Sequence, residues 1–271
     1  MPARLIHVSD LHVGAPEERS VEPALKELVT RLEPEVIVAT GDLTHRGRRD
    51  QHERAAAFLR ALGPPVLAIP GNHDLPYRFP ARFTHPWAEF ERCWETTEPV
   101  FASGQLHVVG LNSARPWRHQ SGGLGVEALA QAAARLGAAQ PGALRVACLH
   151  HHLTGAPWRS RKRPVAHRGR VLASLVDAGA ELILSGHIHQ SAASERREFE
   201  VGLDGDRGVA IAIAPGLGQP RPKRRAEARG LHVVEADANG ISIETLVFTG
   251  DEFVPIATRR FPRRPGRRAP G

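Results

Sequence analysis

Short apolar runs recur along the 271 residues, and their spacing constrains the fold more than any other feature. Several runs are apolar at consecutive positions, a pattern typical of strands buried on both faces of a sheet. We predict strands over residues 4–9, 35–40, 66–69, 106–111, 144–149 and 181–185. Stretches of helical length separate them, which favours an α/β protein with parallel strands.

The stretches between these strands carry helix signals. Helices are predicted over residues 21–32, 51–62, 126–136 and 171–178, and the last three are each followed by glycine. In the second helix, Asp50 and Glu53 are placed for a capping box and Gly63 for the C-terminal cap. Residues 208–214, 230–235 and 241–248 have the pattern of antiparallel strands. Parallel β/α units followed by such strands predict two packed sheets with helices outside.

Composition and charge narrow the class of protein. The apolar fraction of 41% and the charged fraction of 24% are ordinary for globular domains. We expect one domain over residues 1–258 and a disordered basic tail over 259–271, because those thirteen residues hold six arginines and no acid. The net charge of +7 is therefore patchy, which favours local contact with an anion over a uniformly basic nucleic-acid surface.

The sequence shows no targeting or membrane-spanning signal. Its apolar runs are all far shorter than the roughly 20 residues that span a bilayer. No basic and apolar leader precedes the first predicted strand, so a signal peptide is not expected. We therefore expect a soluble, cytoplasmic protein.

Five short motifs rich in Asp, Asn and His stand at the carboxyl ends of predicted strands. They are Asp10-Leu11-His12, Gly41-Asp42, Gly71-Asn72-His73-Asp74, His150-His151-His152 and Gly186-His187-Ile188-His189. Ligands of open α/β sheets bind beyond the carboxyl ends of the strands, so the five loops are expected to converge. Carboxylate, imidazole and amide oxygen are ligands for Mn²⁺, Fe²⁺, Fe³⁺ or Zn²⁺. Together the motifs predict a metal site.

Each motif alone is a weak signal. Asp10 has the alternative role of capping a helix that follows its strand, and an isolated His is usually a surface residue. Side chains two apart on an extended segment point the same way, so the Asp10/His12 and His187/His189 pairs can each reach one metal cluster. The five motifs occur in this order and each at a strand end, a combination that rarely arises by chance.

The five motifs resemble the signature of the calcineurin-like metallophosphoesterase superfamily, over about residues 4–250. Within it, the length and the run Gly-Asp-Leu-Thr-x-x-Gly at residues 41–47 look most like bacterial class III cyclic-nucleotide phosphodiesterases. The resemblance implies a four-layer α/β/β/α sandwich of two mixed β-sheets flanked by helices, with a site for two metal ions, Mn²⁺ and/or Fe²⁺/Fe³⁺, with Zn²⁺ as the alternative.

The same resemblance assigns the ligands residue by residue. Asp10, His12 and His189 would hold the first ion. Asn72, His187 and one later histidine would hold the second, and Asp42 would bridge both. The family usually has His-His-Pro at the later position, where this chain has His150-His151-His152-Leu153. If His152 replaces the proline the ligand is His150, and if Leu153 does it is His151; we favour His150.

The resemblance also implies a reaction. A hydroxide shared by the two ions would attack phosphorus in a phosphodiester or phosphomonoester. His73 would act on the leaving group, and Asp74 would orient His73, with a turn cap as the alternative role for Asp74. His45, three residues after Asp42, is expected to face solvent, with a supporting role beside the site as the alternative.

Four functions remain open at this point. The preferred one is a small-molecule, cyclic-nucleotide-like phosphodiesterase with a small anionic phosphoester as its substrate. A nuclease, a nucleotide-lipid pyrophosphate hydrolase and a metal-free scaffold are the alternatives. The basic segments 158–170 and 220–229 are candidates for gripping a second phosphate or a longer anion, nucleic acid included. The sequence leaves the metal, the substrate and the oligomeric state open.

Overall fold

The computed structural model describes residues 2–16, 20–118, 120–155, 162–196, 208–218 and 227–263. Within these ranges the strands fall into two six-stranded sheets, and helices cover the outer face of each. In the part of the chain so described, no helix combines the length and apolarity needed to cross a bilayer.

The first sheet has the order β12-β11-β10-β1-β2-β3. Strands β1, β2 and β3 are parallel, with Leu5 opposite Val36 and Ile37 opposite Val66, and β10 to β12 run antiparallel beside them. The bounds are β1 Ala3–Val8, β2 Val36–Ala39, β3 Val66–Ala68, β10 Gly230–Ala236, β11 Gly240–Phe248 and β12 Phe253–Pro262.

The second sheet has the order β4-β5-β6-β7-β9-β8. Its four central strands are parallel, and the two edge strands, β4 and β8, are antiparallel to their neighbours. The bounds are β4 Val100–Ala102, β5 Leu106–Leu111, β6 Leu144–Leu149, β7 Leu182–Ser185, β8 Ala192–Glu195 and β9 Ala210–Ile213. Both sheets are therefore mixed.

Three apolar layers hold the four structural layers together. The middle layer lies between the sheets and takes alternate residues from their facing sides, such as Leu5 of β1 and Val146 of β6. Helices α1 Glu22–Leu32, α2 Arg49–Arg60 and α4 Ala88–Trp94 cover the first sheet. Helices α5 Val126–Gly137 and α6 Arg168–Asp177 cover the second. The predicted α/β/β/α sandwich is confirmed.

Every strand and helix predicted from the sequence is present, with ends shifted by a few residues. The short helix α3 Ala81–Thr84, helix α4 and strands β4, β8 and β12 were not predicted. Strands β4 and β8 are edge strands of three and four residues, too short to show a period.

Two expectations are wrong. The tail does not begin at residue 259, because β12 continues to Pro262, Phe261 is buried between the sheets, and Arg263 Nε makes an ion pair with Glu181 at 2.8 Å. Residues 264–271 lie outside the described ranges. The capping box at Asp50 is also absent, because α2 begins two residues earlier than predicted, at Arg49, so Asp50 lies inside the first turn. Glu53 instead accepts from Arg49 Nε.

Candidate metal centre

The carboxyl ends of β1, β2, β3, β6 and β7 bring the five motifs to one edge of the sandwich. Backbone hydrogen bonds join the loops directly: Asp10 N donates to Gly41 O, His12 N to Asp42 O, and Gly186 N to His150 O. The convergence that the sequence predicts is therefore found.

The loops turn sharply at the predicted ligands themselves. Eight described non-glycine residues have positive φ angles, and five of them are Asp10, His12, Asp42, His187 and His189. Left-handed backbone is unfavourable for residues with a Cβ, although Asp and His tolerate it better than most. Strained conformations of this kind cluster at functional sites. Here the turns aim consecutive polar side chains at one point.

The first group of donor atoms comes from Asp10, His12 and His189. The Nε2 atoms of His12 and His189 are 3.2 Å apart, and His189 Nε2 is 3.2 Å from Asp10 Oδ1. Asp10 Oδ2 faces away and accepts hydrogen bonds from Ser9 Oγ and from His187 N. Those two bonds fix the carboxylate and leave Oδ1 turned towards the histidines.

Asp42 lies between this group and a second one. Its Oδ1 is 3.3 Å from His150 Nε2, and its Oδ2 is 3.9 Å from His12 Nε2. The backbone N–H of His73 donates to Oδ1 at 2.8 Å, which sets the plane of the carboxylate. One carboxylate thus presents an oxygen to each group, as a bridging ligand does.

The second group is built from His150 and His187, with His151 beside them. His150 Nε2 is 3.1 Å from His187 Nδ1. Backbone carbonyls accept from the other ring nitrogen of each: Thr40 O from His150 Nδ1 at 2.7 Å, and Gln120 O from His187 Nε2 at 3.0 Å. A carbonyl only accepts, so His150 Nδ1 and His187 Nε2 each carry a hydrogen, which leaves His150 Nε2 and His187 Nδ1 as the nitrogens available to a metal ion.

His151 has a different environment from His150. Its Nδ1 lies 2.9 Å from Ser113 Oγ, and its Nε2 is buried without a hydrogen-bond partner. It still belongs to a group with His150 and His187 whose possible ligand atoms all lie within 4.8 Å of one another. Of these two neighbours, His150 is the one whose Nε2 lies 3.3 Å from the Asp42 carboxylate, which favours it as the ligand on the bridging side.

Protonation in the site reflects burial and close opposite charges. Burial lowers the pKa of His12 to about 3, and burial together with the charge of Lys162 holds the pKa of His187 well below its usual range. Burial alone would also lower the pKa of His150, but the Asp42 carboxylate raises it to about 9. Burial would raise the pKa of Asp42, yet His150 and His73 hold it well below its ordinary value.

The donor set fits metal ions. Three oxygen atoms, Asp10 Oδ1, Asp42 Oδ2 and Asn72 Oδ1, are buried without a hydrogen-bond partner. A buried polar atom left so is costly unless a ligand satisfies it. Four overlapping groups of Asp and His side chains could hold an ion in the described residues. Carboxylate, amide and imidazole donors are suited to Mn²⁺, Fe and Zn²⁺.

His73 lies on the more open side of the centre. Its ring packs edge-on to His12 at 4.8 Å between centroids and is stacked with His45 at 6.1 Å. Its Nδ1 lies 3.0 Å from His45 O and 2.9 Å from Tyr77 Oη. His45 is therefore half-buried against His73 rather than fully in solvent, which matches the supporting alternative.

The buried carboxylate of Asp74 lies among donors of two loops. It accepts from the backbone N–H groups of Leu43, Thr44 and Gly71 and from Thr44 Oγ1. Three of these bonds join the loop that follows Asp42 to the Gly71–Asp74 loop, and the bond from Gly71 N closes the turn within the Gly71–Asp74 loop. These contacts fit the alternative role of a turn cap better than an orienting contact with His73.

Part of the first basic segment borders the centre. Burial is the main cause that lowers the pKa of His187, His151 and His152. The ammonium of Lys162 lowers that of His187 further. After His150, Lys162 also lowers the pKa of His151, and the guanidinium of Arg168 lowers that of His152. Residues 158–161 of the first basic segment and 220–226 of the second lie outside the described ranges. The positive charge beside the second group is suited to an anionic substrate.

Sequence reasoning missed the groups that hold the ligands in place. They are Ser9 Oγ, Ser113 Oγ, Tyr77 Oη and the carbonyls of Thr40, His45 and Gln120. Only Ser9 and Thr40 adjoin a motif. A backbone carbonyl has no residue-type signature, so its role appears only in the folded structure.

Comparisons with known proteins agree with this centre. The family model described as calcineurin-like phosphoesterase matches residues 3–191. A 3′,5′-cyclic adenosine monophosphate phosphodiesterase of Haemophilus influenzae is 28% identical over 215 residues, which cover 73% of this chain and 74% of the relative.

Two solved structures show the same fold. A purple acid phosphatase from yellow lupin (Lupinus luteus) seeds aligns with a TM-score of 0.71 and 13% identity, covering 97% of this chain and 54% of that one, so this chain spans about half of the lupin enzyme. A dimetal phosphatase from Danio rerio aligns with a TM-score of 0.62 and 15% identity, covering 94% and 99%. With the family match over most of the chain, the conclusion is plain: this protein belongs to the calcineurin-like phosphoesterase family, whose members depend on two metal ions, and is a hydrolase that acts on phosphoester bonds.

Proposed function

We propose that the protein is a metal-dependent phosphodiesterase for small phosphodiesters of the cyclic-nucleotide type. The observation that carries the proposal is Asp42, whose two carboxylate oxygens face separate groups of histidines. That arrangement is what a two-metal centre requires. The preference for a diester and for a cyclic nucleotide rests on the likeness to the Haemophilus phosphodiesterase.

In this proposal each ligand has one place. Asp10, His12 and His189 would hold the first ion. Asn72, His187 and His150 would hold the second, with His151 beside them, and Asp42 would be the ligand shared by both ions. The donor set is compatible with Mn²⁺ or Fe²⁺/Fe³⁺, and Zn²⁺ is the alternative. When bound, two such ions activate a water molecule and neutralise charge on the phosphoryl oxygens.

The protein's own side chains would position the substrate and the site loops and would protonate the leaving oxygen. The His45 carbonyl accepts from Nδ1–H of His73, which leaves Nε2 as the nitrogen that exchanges a proton. His73 would give that proton to the leaving oxygen. Asp74 keeps the loops of Asp42 and His73 together through three hydrogen bonds from Leu43 and Thr44. Lys162 adds positive charge beside the second group, where an anionic ester would enter.

A panel assay with Mn²⁺ tests the proposal. It compares bis-p-nitrophenyl phosphate, p-nitrophenyl phosphate, 3′,5′-cyclic AMP, 2′,3′-cyclic AMP and single-stranded DNA. We expect the diesters to be hydrolysed faster than the monoester, and Asp42→Ala to abolish turnover while the exposed Asp50→Ala retains it. Turnover of the monoester alone, or of DNA alone, would replace the proposed substrate class. Full activity of Asp42→Ala would contradict the two-metal reaction.

A further inference from the structure

Four exposed aromatic side chains belong to two segments beside the metal centre, three of them in loops and Phe83 in helix α3. Among the described residues, the exposed aromatic side chains are Tyr77, Phe79, Phe83 and Trp117. Phe79 is 84% exposed and Trp117 is 69% exposed. Such large apolar surfaces left in water usually mark a binding site when they are grouped together.

A single buried arginine brings the two loops side by side. Arg82 is 5% exposed, and its guanidinium donates to Pro116 O at 2.8 Å and to Pro76 O at 3.3 Å. Each proline directly precedes an exposed aromatic residue, Trp117 in one loop and Tyr77 in the other. The hydrogen bonds therefore place Tyr77 and Trp117 on the same part of the surface. We call Tyr77, Phe79 and Trp117 the aromatic rim.

The aromatic rim is continuous with the reaction centre. Tyr77 Oη is 2.9 Å from His73 Nδ1, and the two rings are 5.9 Å apart. In the other loop, Gln120 O accepts from His187 Nε2, three residues after Trp117. A molecule with its phosphoester at the centre would thus have its organic part within reach of the aromatic rim.

The two segments that carry the aromatic rim contain basic residues and no acidic ones. Arg78 and Arg118 are exposed and adjoin Tyr77, Phe79 and Trp117 in sequence. Residues 75–88 and 113–126, which contain both loops, hold no Asp or Glu. Aromatic faces interleaved with arginine are the surface on which nucleic-acid bases stack, because every base has a flat π face and carries a nearby phosphate.

We propose that the aromatic rim is a stacking subsite for a nucleobase of the phosphoester substrate. The inference rests on the proposed function, since the phosphate must lie at the metal centre, and it adds where the organic part binds. In a nucleotide the base is one sugar away from the phosphate, so a platform contiguous with His73 is suited to it. A bilayer is a weaker match, because the rim alternates aromatic residues with arginines and adjoins the reacting group.

The test compares two inhibitors that differ only in the base. AMP and ribose 5-phosphate compete with bis-p-nitrophenyl phosphate for the Mn²⁺-loaded protein. We expect the inhibition constant for AMP to be on the order of tenfold lower than that for ribose 5-phosphate. Phe79→Ser and Trp117→Ser should each reduce this ratio several-fold. The control is Val126→Ser, which removes an equally exposed apolar side chain, 70% exposed on α5, and should keep the ratio.

Three results would overturn the subsite. The first is equal inhibition of the wild type by AMP and ribose 5-phosphate. The second is a ratio that Phe79→Ser and Trp117→Ser leave unchanged. The third is that Phe79→Ser and Trp117→Ser keep the ratio of the two inhibition constants but lose binding to phosphatidylglycerol vesicles, which would mean that the aromatic rim binds a membrane surface. If the wild type does not hydrolyse bis-p-nitrophenyl phosphate, the proposed function fails instead, and equilibrium dialysis of the same two ligands still measures the base preference.

Discussion

Replacing Gly71 by alanine should move the bridging carboxylate without removing a ligand. A Cβ on Gly71 would lie 2.2 Å from Asp42 Oδ1 and 2.3 Å from Asp42 N, where ordinary contacts begin near 3.4 Å. Asp42 or its loop must therefore move by about 1 Å. Gly71 does not have a positive φ, so the effect is steric rather than a change in backbone preference. A displacement of about 1 Å in a catalytic group can lower the rate on the order of 100-fold.

The assay is kcat/KM for bis-p-nitrophenyl phosphate with saturating Mn²⁺, together with thermal unfolding to show that the variant folds. Gly137→Ala is the matched control, because no atom lies within 4 Å of its added Cβ and the residue ends α5, so activity should not change. A folded Gly71→Ala protein with wild-type kcat/KM would refute the reasoning that Asp42 has to hold its position to within about an ångström.

Three further predictions concern stability. Burial holds the pKa of His232 at about 4, against 6.5 when unfolded, so the folded state loses stability as pH falls below 6.5. At pH 5 this residue lowers the free energy of unfolding by about 2 kcal/mol. Between pH 7 and pH 5, urea unfolding should therefore show a decrease in this free energy that is about 2 kcal/mol smaller for His232→Gln than for the wild type. Asp74→Ala leaves three buried N–H groups unpaired and should lower the free energy of unfolding on the order of 4 kcal/mol; an unchanged value would instead support a role on His73. Arg263→Leu removes the ion-pair partner of the buried Glu181 and should lower the free energy of unfolding by about 3 kcal/mol. An unchanged free energy of unfolding would instead support a tail that begins at residue 259.

The sandwich could be predicted because its strands are apolar at consecutive positions and its ligand motifs follow them directly. Strand Leu144–Leu149 is buried almost throughout and is followed directly by His150. The apolar run therefore predicts where the strand ends, and the strand end predicts that His150 lies at the site. Strand β12 was not predicted because its middle is exposed and mixes apolar with basic residues, and only Phe253 and Phe261 at its ends enter the core. An edge strand held by backbone pairing and two apolar anchors has no periodic signal.

The choice between His150 and His151 could not be made from residue types, since both are buried histidines in one run. The choice depends on which imidazole forms a hydrogen bond with the Thr40 carbonyl and which forms one with Ser113 Oγ. Both partners are distant in sequence, by 110 and 38 residues. The contacts of Asp74 could not be predicted for a related reason, because two of its partners are backbone N–H groups of another loop.

The metal content of the purified protein tests the central claim most directly. After loading with Mn²⁺ and removal of free ions, elemental analysis by mass spectrometry counts ions per chain in the wild type, Asp42→Ala and the control Asp50→Ala. If Asp42 bridges two ions, the wild type and Asp50→Ala hold about two per chain and Asp42→Ala holds one or fewer. One ion per wild-type chain, or equal content in wild type and Asp42→Ala, would contradict the two-metal centre.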